Sequence, residues 1–178
     1  MNRFLFSTID VSRQVFYHTA QTFAIVNLKP ILPGHILVSP RRVVPRLADL
    51  EPGELADLMH SVQHVGKVIE TAYKAEGLTI ACQDGPAAGQ TVPHVHFHLL
   101  PRKMAGDPFE GHNDEIYPAL EHAEESLPKQ LLVVEAKDRD PRTRAEPIKM
   151  DADEDRKPRS LEDMEREANW LKELFAKS

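Results

Sequence analysis

Along the first 40 residues the apolar positions fall in short runs rich in aromatic and branched side chains. The runs are Phe4–Ile9, Val15–His18, Phe23–Asn27 and His35–Ser39, a pattern that predicts short strands. Lys29-Pro30 and Leu32-Pro33-Gly34 separate the last two and predict a tight connection, so neighbouring strands should pair antiparallel. The period then changes. Leu55, Leu58, Met59, Val62, Val65, Ile69 and Ala72 recur at three- and four-residue spacing, which predicts a helix from Pro52 to about Glu76 with one apolar stripe. Pro52 suits its first turn and Gly77 its C-cap. Leu78–Gln83 reads as a strand and Asp84-Gly85-Pro86 as a turn. The alternating run His94-Val95-His96-Phe97-His98-Leu99-Leu100 follows, and it should pair with that strand.

Beyond Pro101 the order declines. Lys103–Asp114 is rich in glycine and charge, Gln130–Glu135 fits either a short strand or a helical turn, and Lys137–Arg159 is dense in both signs of charge. Such a stretch buries little apolar area and predicts a mobile loop. From Ser160 the pattern is helical again. Ser160 with Asp163 makes a start like a capping box, and Leu161, Met164, Ala168, Leu171 and Phe175 form a face that should dock, with Trp170 beside it. The chain thus divides into a core over 1–125, a charged mobile insertion over 126–159, and a C-terminal helix over 160–178 that packs on the core.

Composition narrows the class. A chain of 178 residues supports one domain with a real core. Its single cysteine, Cys82, excludes an internal disulfide framework and suits a reducing compartment. No apolar run of about 18 residues and no secretory leader is present, so the expectation is cytoplasmic or nucleocytoplasmic residence without a membrane partner. A formal charge of −6 argues against nucleic acid as a partner but not against a nucleotide in a local pocket.

If the run is a strand, His94, His96 and His98 share one face, with Val95, Phe97 and Leu99 on the other. A lone strand histidine is ordinarily structural. Three in register concentrate groups that titrate near neutrality and repel when charged, so the cluster should hold fewer than three protons. A metal on all three is disfavoured. Alternate Cα atoms lie ~6.6 Å apart and the outer pair ~13 Å, too far to converge on one ion at ~2.1 Å without strain. Two of them with a distant ligand would be easier, and His35 is the obvious candidate. A neutral imidazole is also a nucleophile that needs no deprotonation near pH 7. It can attack phosphorus while a neighbouring imidazolium supports the phosphate. The Gly89-Gln90-Thr91 loop can present N–H groups and a hydroxyl to phosphate oxygens.

The run matches the histidine-triad pattern, His-x-His-x-His followed by two apolar positions. Gln83-Asp84-Gly85-Pro86, Gly89-Gln90-Thr91-Val92 and Pro101-Arg102-Lys103 resemble the fragile-histidine-triad (Fhit) branch in particular. The resemblance extends to Phe23–Asn27, Lys29-Pro30, Pro33-Gly34-His35, Asp49-Leu50 and Asn113–Tyr117, and more weakly to the last helix. It implies an α+β fold with a five-stranded antiparallel sheet, dimerising into a ten-stranded one. It also implies asymmetric hydrolysis of dinucleoside polyphosphates with release of AMP. His96 matches the nucleophile that becomes a nucleotidyl-histidine, and His98 the residue on the reacting phosphate; His94 and His35 match supporting positions. Asn27 matches a ribose contact, a place where a plain turn residue would also fit. Gln83, Gly89, Gln90, Thr91 and Val92 match contacts to the phosphate chain. Magnesium or manganese would arrive with the substrate phosphates, not on the histidines, and no tightly bound cofactor is implied. Thr8 stands where animal relatives carry a histidine, and the charged 129–159 segment is of the length seen in fungal relatives. A phosphoramidate hydrolase of the sister Hint branch, which carries serine in the loop, and a nucleotide-sensing signalling protein are the competing readings.

Overall fold

The computed structural model describes residues 3–139 and 159–176. Leu5–Phe6 (β1) and Ile9–Asp10 (β2) form a small hairpin. Val15–His18 (β3), Thr22–Val26 (β4) and Ile36–Pro40 (β5) lead to the helix Pro52–Tyr73 (α1). Gly77–Ala81 (β6), Phe97–Arg102 (β7), Ile116–Arg139 (α2) and Leu161–Phe175 (α3) complete the chain. The antiparallel sheet has five strands in the order β3-β4-β5-β7-β6, so the fold is α+β as expected. No described helix is long and apolar enough to cross a membrane.

The sheet is covered on both faces. Leu99 on β7 is fully buried toward α1, close to where a Cβ on Gly66 would lie. His98, one position earlier, takes the opposite face by alternation, and there it meets α2. Leu58, Val62, Val65 and Ile69 seat α1 on the sheet. Leu55 and Met59 were expected in the same stripe but are 40% and 42% exposed, because the buried arc is narrower than the apolar one. The helix ends at Lys74, which takes the left-handed conformation (φ 54°) instead of Gly77, and Gly77 opens β6 in register with Arg102.

Three further expectations change. Phe4–Ile9 is not one strand: the chain reverses at Ser7 (φ 56°), so Phe6 and Ile9 both reach the core. The loop expected from residue 126 is helical as far as Arg139, which places Gln130–Glu135 inside α2; the charged stretch 140–158 lies outside the described residues. Lys103–Asp114 is more ordered than its composition implied. Buried Asp107 pairs with Arg102 at 2.7 Å and also accepts the N–H groups of Lys103 and Phe109.

α3 docks as its pattern predicts. The Ser160 side chain accepts the Asp163 N–H at 3.1 Å, and Met164, Ala168 and Leu171 are fully buried against the core that holds β3. Trp170 packs edge-on to Tyr73, and Arg159 binds both the Asn27 carbonyl and Glu167. Truncating one buried leucine leaves a cavity that the rigid sheet cannot fill. Leu171→Ala should therefore lower unfolding free energy by about 2–4 kcal/mol in urea titration, whereas Trp170→Ala, at a half-exposed position, should have a smaller effect.

Candidate active site

Only His98 of the three histidines lies in the paired strand, opposite Leu37 and Ala81. The chain leaves the sheet before it, which corrects the expectation of one alternating strand from His94. The cause is local. Val95 N–H donates to the Val44 carbonyl at 2.8 Å, and the Val95 carbonyl accepts the Ser39 hydroxyl at 2.6 Å. These bonds replace the ladder and bend the segment. All three histidines are nonetheless buried.

The bend gives each ring its own partners. His94 Nδ1 accepts the Ser7 N–H at 3.0 Å, so Nε2 carries the proton and donates to the Pro40 carbonyl at 2.8 Å. Its ring stacks on Phe6 and has no nitrogen left for substrate. His96 Nδ1 donates to the His94 carbonyl at 2.7 Å, which leaves Nε2 pointing into the site. His35 Nδ1 accepts the Ile31 N–H at 3.2 Å, so His35 Nε2 donates to His98 Nδ1 at 2.9 Å. The proton on His98 must then sit on Nε2, a buried donor without a hydrogen-bond partner in the structure. The network thus makes Nε2 the inward nitrogen of both His96 and His98, and requires a proton on that of His98.

A carboxylate that sequence reasoning missed stands between them. Glu124 on α2 is fully buried. Its oxygens lie 3.1 and 3.3 Å from His96 Nε2, and one is 3.5 Å from His98 Nε2. Burial opposes charge on His96, but the hydrogen bond and the charge of Glu124 outweigh it and hold the imidazolium above its ordinary range. Burial lowers His98, with repulsion from His96 adding to it, so His98 stays neutral. Burial also opposes the Glu124 carboxylate, yet the hydrogen bond from His96 and the close approach of His98 Nε2, at 3.5 Å, keep it ionised. In the run Glu121, Glu124, Glu125 nothing marks one residue as buried. Its spacing of one helical turn from Leu120 and Leu127, both buried, was the available signal.

The other expected site residues divide. Gln83 and Gly89 are brought together: a Cβ on Gly89 (φ +86°) would lie 3.1 Å from the Gln83 amide nitrogen, so glycine is required there twice over. The Gln90 side chain turns away and donates to the Pro45 carbonyl at 2.8 Å. The Thr91 hydroxyl donates to the Glu124 carbonyl at 2.7 Å and lies 3.3 Å from its carboxylate. Val92 is buried and joins the core. Asn27 is beside the His35 ring at 3.3 Å, while its side-chain oxygen accepts the Lys29 N–H at 3.1 Å, the turn role that was weighed against a ribose contact. His18, His60, His64, His112 and His122 are exposed, as expected.

Among the described residues, His96, His98 and Glu124 are the group whose ligand atoms come within 4.8 Å of one another. Two imidazoles and one carboxylate suit zinc, not magnesium or manganese. A hard cation escorting a polyphosphate would find no oxygen-rich cage here.

Comparison with known proteins identifies relatives of the whole chain. The model of the HIT domain family matches residues 9–105. The chain is 50% identical over 175 residues to the asymmetrical bis(5'-nucleosyl)-tetraphosphatase of Schizosaccharomyces pombe, covering 96% of this chain and 93% of that one. It is 47% identical over 163 residues to the bifunctional bis(5'-adenosyl)-triphosphatase/adenylylsulfatase of Arabidopsis thaliana, covering 92% and 78%. Among solved structures, a Plasmodium falciparum diadenosine triphosphate hydrolase in complex with cyclomarin A superposes with a TM-score of 0.69 at 26% identity. That match covers 100% of this chain and 87% of the other.

Burial, only partly offset by the Pro40 carbonyl, lowers His94 to about 4 from its ordinary 6.5. The unfolded chain takes up this proton near pH 6.5 while the folded one does not until about pH 4, so stability falls with pH across that window. The loss should reach on the order of 2–3 kcal/mol by pH 4.5. Urea titrations at pH 7 and 4.5 measure it, and the portion absent from His94→Gln belongs to this ring.

Proposed function

Because the chain belongs to the HIT domain family, we propose that it hydrolyses dinucleoside polyphosphates asymmetrically through a nucleotidyl-histidine on His96. The observation that carries the mechanism is the commitment of His96 Nδ1 to the His94 carbonyl, which leaves Nε2 as the nitrogen that becomes the nucleophile once the ring is neutral. Kinship at 50% and 47% identity over nearly the whole chain supports the substrate class.

In the first step substrate displaces the Glu124 counter-ion and the His96 imidazolium loses its Nε2 proton to solvent. The neutral Nε2 then attacks the phosphorus bearing the nucleoside, the P–N bond forms and the anhydride P–O bond breaks. Diadenosine triphosphate then releases ADP, and the tetraphosphate ATP. The ring becomes cationic as it attacks, and the His94 carbonyl stabilises the strengthened Nδ1–H bond. His98 Nε2–H donates to an oxygen of the reacting phosphate, held in that tautomer by His35. In the second step water attacks phosphorus, the P–N bond breaks, AMP departs and the water's second proton goes to solvent. His94 is a positioning residue, since both of its nitrogens are engaged by backbone. In this reading Gln83, whose side-chain amide lies beside Gly89, contacts the phosphate chain. A magnesium or manganese ion bound to the substrate phosphates would supply charge neutralisation there and would need no ligand from the histidines.

The assembly we propose is a homodimer. β6 is an edge of the five-stranded sheet and holds Ile80 47% exposed, an unprotected edge of the sort that pairs with a second copy. Joining two such edges makes a ten-stranded sheet.

His96→Ala should lower turnover of diadenosine triphosphate by at least about a thousandfold, because no other group supplies the nucleophile. The variant should still fold and keep the oligomeric state of the wild type, although loss of the Glu124 counter-ion should lower its unfolding midpoint. Acid-quenched versus base-quenched single turnovers should recover nucleotide bound to the wild-type protein through an acid-labile, base-stable P–N bond. A quench series with no covalent species would point to direct attack by water.

A further inference from the structure

The attack just described requires phosphorus to approach His96 Nε2 to about 3–3.5 Å, the distance of a near-attack arrangement. That shell is filled. The Glu124 oxygens stand at 3.1 and 3.3 Å from this nitrogen, between His96 and the inward Nε2–H of His98, which is 3.5 Å from one of them. A carboxylate placed so meets donors that a phosphate would use: Thr91 N–H at 3.5 Å and the two imidazoles. Its helix is held by contacts on both sides of it. Ile116 and Leu120 pack with Leu32 and Leu100, while Leu127 joins the main core.

We propose that Glu124 is a built-in competitor for the scissile-phosphate position, so that substrate must expel it and its return assists the departure of AMP. The proposal rests on the hydrolase reading and adds a residue that sets affinity and release for that reaction. Two anions cannot share one set of donors at contact distance. Substrate binding therefore includes breaking the Glu124 contacts and shifting the part of α2 that bears them. The same competition acts on AMP, so substrate KM and AMP affinity must move together when the carboxylate is removed. A merely structural Glu124 would behave oppositely, since its loss would loosen the site and weaken both.

The test uses the full chain as wild type, Glu124→Gln and Glu124→Ala. AMP affinity is measured by calorimetry, and KM with diadenosine triphosphate. Both variants should bind AMP roughly tenfold tighter, about the factor associated with losing one strong ionic competitor, and KM should fall by a similar factor. In the wild type, backbone amides over 117–125 should exchange faster with AMP bound than without it. AMP affinity that is unchanged or weaker in both variants, or AMP binding by none of the three proteins, overturns the proposal. So does an α2 that stays equally protected with AMP bound, and that measurement needs no variant to fold. Failure of the hydrolase reading is separate: the wild type would then turn over neither diadenosine triphosphate nor tetraphosphate, while AMP binding and exchange still judge the competition.

Discussion

The hydrogen bond from His96 Nδ1 to the His94 carbonyl is an interaction between residues two apart, and it exists only because the chain leaves the sheet at Val95. In a regular strand the carbonyl of residue i and the side chain of residue i+2 do not meet in this way. Ser39 and Val44 pull Val95 out of the ladder, and the released carbonyl of His94 turns to the next imidazole. With Nδ1 occupied, Nε2 becomes the reactive nitrogen. The placement of Glu124, the tautomer of His98 and the orientation of His35 are all read relative to that atom.

The site is consequently asymmetric in charge, although it is built from like residues. His94 is solvated by backbone and kept neutral by burial, His98 is neutral and donates inward, and His96 alone has a counter-ion. The sequence argument that the cluster must hold fewer than three protons is met by one cation beside one carboxylate. Like-charge repulsion is avoided by giving each ring a different set of partners, not by distance, since the His96 and His98 centroids are 5.1 Å apart.

What could be read in the residues follows from the range of the forces involved. α1 and α3 were legible because a period sustained over several turns is a local property, and Ser160 with Asp163 marks its own helix end. The pairing of the histidine segment with the strand before it was legible for the same reason. The start of β7 was not, because it depends on Ser39 and Val44, about fifty residues upstream. Lys74 in place of Gly77 as helix terminus, and the hairpin at Ser7, are single-residue backbone choices that composition does not reveal. Glu124 was hidden by its neighbours: an acidic helix face reads as solvated until a buried cation is found beneath it. Asn27, Gln90 and Thr91 carry the expected residue types, yet in this state their polar atoms serve a turn, the Pro45 carbonyl and α2.

The contacts that prepare the site join distant parts of the chain. Ser7 and His94 are 87 residues apart, His35 and His98 are 63 apart, and Asn27 and Arg159 are 132 apart. Contacts of such span form late, after the loops between them have closed. Tautomer and nucleophile are therefore properties of the completed fold alone. A chain without its sheet would carry three ordinary surface-like imidazoles, and a ribosome-bound chain shorter than about 160 residues would lack the clasp on Asn27 that Arg159 supplies. Catalytic competence is thereby coupled to the last tertiary contacts, which keeps reactive histidine out of the nascent polypeptide.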